Sequence, residues 1–363
     1  MNNVLLCATD AGGARNLFPL LKLIKKQGYQ PVLVTSKNML GLFDLQYANL
    51  IDVGGIDISV NSVKKLIDSV KPTAIICGTT RYISIDRLLI SEGKKKNIRT
   101  VVVLDEWFNH RLRFENEKGE LEFLPDAIAC MDEKAKKGAV EEGIPKELCF
   151  VTGSSSLTDL TNRAEDFVEK PCPMPDFLKT KQTTPVFTFL SQPFTKDYGS
   201  KKGEHGSLGS FIGYTEETVK NDILTVVKKI NKPCTIVEKL HPSSELDDAE
   251  YLINKNIRWI RIKKTNLWAL YWHSQAVIGM RSMALLESVI FNRPTISYQP
   301  GLIVKDTCTA VVFGLVKKLS TPVELEKWLN NQFNKSVGKD KRSINRYPFA
   351  REDSIDNVVS LAV

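Results

Sequence analysis

Two neighbouring carboxylates stand at the end of a predicted strand in the first third of the chain. Asp105 and Glu106 follow the apolar run Thr100–Leu104, which has the composition of a buried strand. Ligands of open α/β sheets bind at the carboxyl ends of the strands, where a carboxylate with an adjusted pKa can act as a general base. Because successive side chains of an extended chain alternate, we expect only one of the two to face a ligand. Trp107 could stack on a sugar. The alternative to a catalytic role for Asp105 and Glu106 is a structural one, as a helix N-cap or paired with the arginines that follow.

A glycine-rich turn follows the first predicted strand. Gly12 and Gly13 let the backbone approach a ligand at the start of a helix. Asp10 and Arg15 would face that ligand, with Asp10 as a reserve base. The turn lacks the GxGxxG fingerprint, and no acidic residue ends the second strand, so NAD binding is not expected. A tight strand-to-helix turn without a ligand is the alternative.

In the second half, the pair His241–Pro242 follows the predicted strand Cys234–Lys239. Proline fixes the turn, and a histidine at the edge of a sheet can donate to a phosphate or neutralise a nucleotide leaving group, assisted by Lys239. A lone histidine is usually structural, but this position favours a ligand.

A strand that ends at Gly279 leads into a helix predicted to begin near Ser282. Ser282 can cap this helix, and the free amides there, together with Arg281, can hold a phosphate. Glu287 lies about one and a half turns further on, where its carboxylate could reach a ribose diol. The alternative for Glu287 is a solvated helix residue.

The elements that position these residues alternate between short apolar strands and amphipathic helices, which is typical of a parallel, doubly wound α/β sheet. The predicted strands are Val4–Ala8, Pro31–Thr35, Thr73–Cys77, Thr100–Leu104, Ala127–Met131, Leu148–Thr152, Val186–Leu190, Cys234–Lys239, Ala276–Gly279 and Thr295–Tyr298. The predicted helices are Ala14–Gln27, Ser62–Val70, Ser84–Lys95, Asp132–Glu142, Glu216–Ile230, Thr265–Trp272, Ser282–Phe291, Pro322–Asn331 and Glu352–Leu361.

The length of 363 residues suits two domains, at about 100–200 residues each. Four prolines in Lys170–Pro185 interrupt the alternating pattern and predict a linker. We therefore expect an N-terminal domain over residues 1–169, a second domain over 186–345, and a C-terminal helix within 346–363.

The composition, 42% hydrophobic and 25% charged, is that of a globular protein. No apolar stretch approaches the roughly 20 residues of a membrane span, and no signal peptide pattern is visible. Seven cysteines without CxxC spacing favour the reducing cytoplasm. The net charge of +8 can attract an acidic glycan, a nucleotide or the anionic inner face of a membrane in peripheral contact. No nucleic-acid motif accompanies it.

Four segments together resemble the GT-B superfamily: DAGGAR, LPDAIACMDEKAKKGAVEEGIPKELCFVTGSSSLTDL, KLHPSSE and RSMALLESVIFNRPTISYQP. That superfamily holds many glycosyltransferases, the lipid A disaccharide synthases and the UDP-N-acetylglucosamine 2-epimerases. The resemblance implies two Rossmann-like domains facing across a cleft. It also implies that the N-terminal domain binds the acceptor, that the C-terminal domain binds the nucleotide and that the final helix returns to the first domain. It implies no metal and no cofactor.

The His-Pro pair, with a serine some 40 residues later, is similar to bacterial sialyltransferases, polysialyltransferases and capsule transferases that use CMP-sugars. Those families carry an acidic pair in the first domain, matching Asp105 and Glu106, but with a glycine where Trp107 stands and a Ser/Thr–Ser pair where Arg281–Ser282 stands. Glu287 is similar to the glutamate that grips the ribose in UDP- and GDP-sugar enzymes. Both donor types therefore stay open.

The resulting prediction is a cytoplasmic, metal-independent glycosyltransferase of polysaccharide biosynthesis, such as capsule formation. It would move a sugar from a CMP- or UDP-type donor to a hydroxyl of a surface glycan or lipid-linked acceptor. A sugar-nucleotide epimerase or hydrolase of the same fold is one alternative, although the Gly-Gly-Glu-Glu pattern of the epimerases is not visible. A non-catalytic nucleotide-sugar-binding protein is the other. The sequence has no GxSxG elbow and no HExxH motif.

Overall fold

The three-dimensional structure is a computed structural model that describes residues 2–36, 39, 45–52, 58–80, 84–170, 173–179, 184–335, 344, 345, 347 and 350–363. The chain forms two compact units, which we call the first unit (Met1–Asn162 with Arg346–Val363) and the second unit (Arg163–Asn345). Within the described residues, no helix has the length and apolar composition needed to cross a lipid bilayer.

The strands are, in chain order, β1 Asn3–Ala8, β2 Gln30–Thr35, β3 Asn49–Asp52, β4 Pro72–Cys77, β5 Arg99–Val103, β6 Ala127–Cys130, β7 Cys149–Val151, β8 Val186–Leu190, β9 Cys234–Lys239, β10 Ala249–Asn254, β11 Ile257–Ile262, β12 Ala276–Gly279, β13 Thr295–Tyr298 and β14 Lys317–Leu319. The helices are α1 Ala11–Lys26, α2 Val60–Val70, α3 Ile85–Lys95, α4 Glu133–Glu141, α5 Ser155–Glu169, α6 Phe194–Tyr198, α7 Glu216–Ile230, α8 Leu267–His273, α9 Ala284–Ile290, α10 Thr309–Val312, α11 Pro322–Phe333 and α12 Ser354–Ser360.

The first unit is built around a parallel sheet in the order β3-β2-β1-β4-β5-β6-β7. Strand side chains alternate between the two faces, so Val4, Leu6 and Ala8 of β1 share one face. They pack into a core with Leu17 of α1 and Val358 of α12. Helices α2 and α3 pack together, and α3 contacts β4 and β5. The C-terminal helix α12 thus lies against α1 in the first unit.

The second unit has a sheet in the order β10-β11-β9-β8-β12-β13-β14. Its strands are parallel except for the edge strand β10, which pairs antiparallel with β11. Phe187, Phe189 and Trp259 fill the core on one face, together with Val219 of α7 and Leu325 of α11. Burial of these large apolar side chains stabilises the sheet against its helices.

Each sheet has a topological switch point beside the first strand of its unit. In the first unit, β1 lies between β2 and β4, and in the second unit β8 lies between β9 and β12. The loops that follow β1 and β4, or β8 and β12, lead away in opposite directions and leave a crevice at the carboxyl ends of the strands. Side chains that follow these strands are therefore placed where a ligand can bind.

Most predicted elements are present, with shifted ends. Helix α1 begins at Ala11 rather than Ala14, because Asp10 caps it. Strand β5 ends at Val103 rather than Leu104. The elements that were not predicted are β3, β10, β11, β14, α5, α6 and α10. In β11 the sequence Ile-Arg-Trp-Ile-Arg-Ile buries Ile257 and Trp259, and this apolar alternation with arginine was the available signal.

The predicted linker Lys170–Pro185 is described only in part, since residues 171–172 and 180–183 lie outside the described residues. Within it, Asp176–Leu178 forms a short 3₁₀ turn. Leu178 packs against Val186, Val237 and Ile260 of the second unit. The division between the compact units falls after Asn162, within α5.

Gly78 provides a test of how tightly β4 approaches α1. A Cβ atom at Gly78 would lie 2.7 Å from the Cα of Gly13 and 3.3 Å from its carbonyl carbon, and backbone atoms cannot move aside as side chains do. We expect Gly78→Ala to lower the free energy of unfolding by about 1–3 kcal/mol, measured by chemical denaturation.

The control is Gly93→Ala in α3, where the Cβ would meet only the side-chain ends of Ile75, at 2.7 Å, and Thr100, at 3.1 Å. These ends can shift, and alanine favours the helix by roughly 0.5–1 kcal/mol. An equal or larger loss for Gly93→Ala would contradict this account of Gly78.

Candidate functional site

Asp10 lies at the switch point of the first sheet, directly after β1. It is the N-cap of α1, and its Oδ1 accepts a hydrogen bond from the Gly13 amide at 2.7 Å. Burial, followed by the charge of Asp105, raises the pKa of Asp10 to about 6, against the opposing effects of the Gly13 amide and Arg113. A carboxyl group that titrates near neutrality is suited to exchange protons with a substrate.

Asp105 and Glu106 contact the same guanidinium. Nη1 of Arg113 lies 2.9 Å from Asp105 Oδ1, and Nη2 lies 3.1 Å from Glu106 Oε2. Thr79, which follows β4, donates to Asp105 Oδ1 at 2.8 Å and also contacts Nη1. Burial raises the pKa of Asp105, and Arg113 opposes this effect. Because β5 ends at Val103, the pair lies outside the strand, and both carboxylates reach Arg113. That only one of them faces a ligand stays a prediction.

The glycines of the first turn make room for this cluster. Gly12 lies beside Asp105, and a Cβ atom at Gly12 would overlap Asp105 Oδ2. Gly13 is packed against Gly78, where its own Cβ would lie 3.1 Å from the Gly78 Cα. Both glycines therefore serve close packing within the first unit. Arg15, the fourth residue predicted at this turn, is exposed on α1.

Trp107 was predicted to stack on a sugar, but its side chain is buried. Its exposure is 2%, and its indole N–H donates to Asp132 Oδ2 at 2.9 Å. Asp132 also caps α4 by accepting from the Ala135 amide. A ring enclosed in this way has no free face for a sugar, so its position argues against the predicted acceptor contact.

A further buried carboxylate, Asp86, was not predicted. It lies in the first turn of α3 and is hydrogen-bonded to Ser84 and, at 3.3–3.4 Å, to Thr80. Burial raises the pKa of Asp86 to about 7, with a small contribution from the charge of Asp10. The acidic residue at the start of the predicted helix Ser84–Lys95 was the available signal, but its burial depends on tertiary packing.

In the second unit, His241 follows β9 and is exposed, as is Pro242. Its Nδ1 accepts from the Ser243 amide at 3.2 Å and contacts the Ser243 hydroxyl at 2.7 Å. An Nδ1 that accepts leaves Nε2 as the protonated, donating nitrogen of the neutral ring. Partial desolvation lowers the pKa of His241, opposed by Asp197 and assisted by Lys239. His241 can therefore donate to an oxygen of a ligand.

Lys239 ends β9, and its Nζ donates to the Leu240 carbonyl at 2.7 Å. Desolvation lowers the pKa of Lys239, while the charge of Asp248 opposes the shift. Lys239 and His241 place two cationic or donating groups after the same strand.

Arg281 follows β12 on the other side of β8. Its backbone amide donates to Gln192 Oε1 at 2.7 Å, and its guanidinium contacts the Thr307 hydroxyl. Gln192 itself follows β8, so these residues lie at the switch point of the second sheet. Gln192 and Thr307 were not predicted. The position of Gln192 directly after a predicted buried strand was the signal that could have found it.

The remaining residues predicted to bind the nucleotide are near α9. A Cβ atom at Gly279 would overlap Leu285, so this glycine allows α9 to pack on β12. The Ser282 hydroxyl accepts from the Ala284 amide at 3.1 Å, at the first residue of α9. Glu287 is only 8% exposed, which excludes the solvated helix residue considered as its alternative.

Gln299 is another polar residue that was not predicted, and it follows β13 directly. It is fully buried, and its Nε2 donates to Ser297 at 2.8 Å and to both Asp306 oxygens at 3.1–3.2 Å. Asp306 in turn accepts from the Cys308 amide and lies 3.5 Å from Lys318. This network fixes the segment that carries Thr307, the partner of Arg281.

The two sheet edges thus carry different groups. Asp10, Asp105 and Glu106 follow strands of the first unit, around Arg113, whereas the second unit offers the N–H donors of His241 and Arg281 beside Asp306. Within the described ranges, no group of three or more His, Cys, Asp or Glu side chains is arranged to hold a metal ion.

Comparison with known proteins finds relatives in structure only. No protein-family model matches the sequence, and no curated protein matches it by sequence. The UDP-GlcNAc 2-epimerase of Methanocaldococcus jannaschii matches with a TM-score of 0.68 and 15% identity, over 99% of each chain. The UDP-GlcNAc 2-epimerase of Neisseria meningitidis, bound to UDP-GlcNAc, matches with a TM-score of 0.65 and 13% identity, also over 99% of each chain. MurG of Acinetobacter baumannii matches with a TM-score of 0.52 and 12% identity, over 100% of this chain and 95% of the MurG chain.

These likenesses confirm the predicted fold class. The chain has the GT-B fold, with two Rossmann-like, doubly wound α/β units. At identities of 12–15%, the comparison concerns the fold, and the chemistry must be argued from the residues of this chain.

The raised pKa of Asp86 predicts a pH-dependent stability. The folded state holds a proton on Asp86 up to about pH 7, whereas an unfolded aspartate loses it near pH 4. The stabilising protonation is therefore present at low pH and is lost as the pH rises through 7. We expect Asp86→Asn to gain stability relative to wild type between pH 5 and pH 8, by a few kcal/mol at about 1.4 kcal/mol per pKa unit. Urea denaturation of both proteins at pH 5 and pH 8 measures the free energies of unfolding that are compared.

Asp176→Asn is the matched control. Asp176 is exposed, and Lys179 lowers its pKa, so its titration is complete below pH 5 and its effect should not change between pH 5 and pH 8. A stability difference for Asp86→Asn that is equally flat over this range would show that Asp86 is already ionised at pH 5.

Proposed function

We propose that this protein is a nucleotide-sugar enzyme that transfers a sugar from a CMP- or UDP-type donor to a hydroxyl group of an acceptor. The observation that carries the proposal is the difference between the side chains that follow the strands of the two sheets. Asp10, Asp105 and Glu106 follow strands of the first unit, and His241 and Arg281 follow strands of the second. A transferase needs both a carboxylate to deprotonate the acceptor and cations to stabilise the departing phosphate.

The nucleotide is assigned to the second unit, within residues 186–345. His241 offers its Nε2–H, and Arg281 offers its guanidinium. The backbone amide of Arg281 donates to Gln192, which anchors this residue. Ser282 and Glu287 lie next to this region, where Glu287 would accept from a ribose hydroxyl. Phosphate oxygens are favoured here because the available groups are donors. The carboxylates of the first unit would repel them.

The acceptor is assigned to the predicted N-terminal domain, residues 1–169, most of which lies in the first unit. A carboxylate there takes the proton of the acceptor hydroxyl, whose oxygen then forms a bond with the anomeric carbon. The bond between that carbon and the phosphate oxygen breaks, and the nucleotide leaves with the electron pair. Asp105, Glu106 and Asp10 are the candidate bases, and Asp10 gains weight from its pKa of about 6. Arg15, exposed on α1, is retained as an acceptor contact.

The acceptor class that we propose is a surface glycan or a lipid-linked sugar, as in capsule or other polysaccharide biosynthesis. The net charge of +8 supports an anionic acceptor or a peripheral position at the cytoplasmic face of the membrane.

Epimerisation of a nucleotide sugar is the second candidate function. It is favoured by the structural likeness to UDP-GlcNAc 2-epimerases, which reaches a TM-score of 0.68 over 99% of each chain. The same carboxylates would serve it, because moving a proton on the sugar also needs an acid or base.

Incubation with nucleotide sugars and analysis of the products by mass spectrometry and NMR separates the two functions. The thermal shift of the protein with CMP, UDP, GDP, CDP and their sugars first selects the nucleotide, since binding to the native state raises Tm. A transferase releases nucleotide in step with a glycosylated acceptor. An epimerase yields a sugar nucleotide of unchanged mass without any acceptor, and this result would exclude transfer.

His241→Ala tests the nucleotide site. Loss of the Nε2–H donor to a charged phosphate should weaken nucleotide binding by about 10-fold or more, measured by calorimetry, with Tm near that of wild type because His241 is exposed. The control is His205→Ala, an exposed histidine of the second unit that also contacts a serine hydroxyl. Unchanged affinity in His241→Ala would remove His241 from the site.

Asp105→Asn and Glu106→Gln test the base. Removal of a general base should lower turnover by roughly 10²–10⁴, unequally in the two variants, while nucleotide affinity stays near normal. Product formation is followed by chromatography, with Glu117→Gln, an exposed glutamate of the same segment, as the control. If both variants retain wild-type turnover, the base is Asp10, and Asp10→Asn should then show the loss.

A further inference from the structure

Arg113 is a buried arginine that the proposed chemistry does not itself use. It is 4% exposed and lies in a short 3₁₀ turn, Arg111–Arg113. Its two terminal nitrogens contact separate carboxylates, Asp105 at 2.9 Å and Glu106 at 3.1 Å. Because a guanidinium is planar with fixed donor directions, its separate nitrogens can orient two carboxylates at once, whereas a lysine ammonium is a compact charge with rotatable donors that fix neither carboxylate.

We propose that Arg113 is a positioning residue that holds Asp105 and Glu106 in place and sets the electrostatic environment of Asp10. This inference rests on the proposed function of the carboxylates at the first sheet edge. Asp105 Oδ1 is occupied by Arg113 and Thr79, and Asp105 Oδ2 lies against Gly12. Arg113 therefore fixes the rotation of the Asp105 carboxylate against the first turn of α1.

The turn that carries Arg113 is itself anchored by a second buried arginine. Arg87 of α3 donates to the backbone carbonyls of Leu112, Glu115 and Thr80. These bonds tie the segment around Arg113 to the end of β4, from which Thr79 reaches Asp105. The guanidinium of Arg113 thus joins the segments that follow β4 and β5, and Arg87 of α3 anchors the turn that carries it.

The charges of the cluster come from several elements. Asp10 follows β1, Asp105 and Glu106 follow β5, Arg113 lies in the 3₁₀ turn, and Asp86 lies in α3. Arg113 is the cation whose charge opposes the raised pKa of Asp10 and also that of Asp105. Removing its charge leaves neighbouring carboxylates without compensation, so their protonated forms are favoured.

The test compares Arg113→Met with Arg113→Lys. In Arg113→Met, the acid limb of the pH–rate profile should move to higher pH, so that the loss of turnover is greater at pH 6 than at pH 8. In Arg113→Lys, the charge remains and the limb should stay near that of wild type, but turnover should fall at least 10-fold because one ammonium cannot hold both carboxylates. Nucleotide affinity, measured by calorimetry, should stay unchanged in both.

The control is Arg261→Met in the second unit, where Arg261 pairs with the buried Glu238 at 3.1 Å. It should lower Tm without moving the acid limb, as expected for a merely structural arginine. A limb that stays at the wild-type pH in Arg113→Met, or wild-type turnover in Arg113→Lys, would overturn the proposal.

A second measurement does not depend on turnover. The protein labelled with ¹³C at the aspartate carboxyl is titrated by NMR, and the Asp10 signal is identified by its loss in Asp10→Asn. Its midpoint should lie near pH 6 in wild type and should move by less than half a unit in Arg113→Lys but rise by a unit or more in Arg113→Met. If wild type turns over no nucleotide sugar, the proposed function fails, while the titration still decides the role of Arg113. Identical midpoints in wild type, Arg113→Lys and Arg113→Met would refute the proposed role of Arg113.

Discussion

The pairing of Arg113 with two adjacent carboxylates is the interaction on which the sheet edge of the first unit depends. Asp105 and Glu106 would repel each other without it, and the buried Asp105 carboxylate would have no cationic partner. One guanidinium cannot neutralise two carboxylates, so a negative charge remains beside Asp10 and contributes to its raised pKa. The glycine at position 12 follows from the same arrangement, because the Asp105 carboxylate occupies the space of a Cβ atom.

Both units place their polar residues by the same geometric rule but with opposite chemistry. In each sheet the strand order turns at the first strand, and the side chains after neighbouring strands meet at the carboxyl edge. The first unit places Asp10 and Thr79 there, and the second places Gln192 and Arg281. A helix start normally favours an anion, yet α1 begins with the chain's own carboxylate at Asp10. This occupation disfavours a phosphate at α1 and leaves the second unit as the place for one.

Much of the fold could be predicted from the sequence, because strand-length apolar runs and amphipathic helices alternate clearly. The rule that ligands bind after strands selected Asp10, Asp105 and Arg281, and the same rule would have selected Gln192. The sequence offered pairing of Asp105 and Glu106 with the following arginines only as an alternative. It could not select Arg113, because the contacts of Arg113 with Thr79 and Asp105 depend on how separate strands and a 3₁₀ turn pack together.

Other expectations depend on local structure that the sequence does not reveal. The alternation expected of Asp105 and Glu106 holds only inside a strand, and β5 ends two residues earlier than the pair begins. Trp107 illustrates the same limit, since its burial against α4 through Asp132 could not be inferred from its place beside the acidic pair.

For the proposed chemistry, the net charge of +8 describes only the long-range attraction of an anionic donor. The local arrangement decides where its phosphates can bind: buried carboxylates in the first unit exclude them, whereas the imidazole N–H of His241 and the anchored Arg281 in the second unit offer donors. The proposed assignment of the acceptor to the first unit and of the nucleotide to the second thus rests on which side chains follow their strands, and the fold that the units share does not determine it.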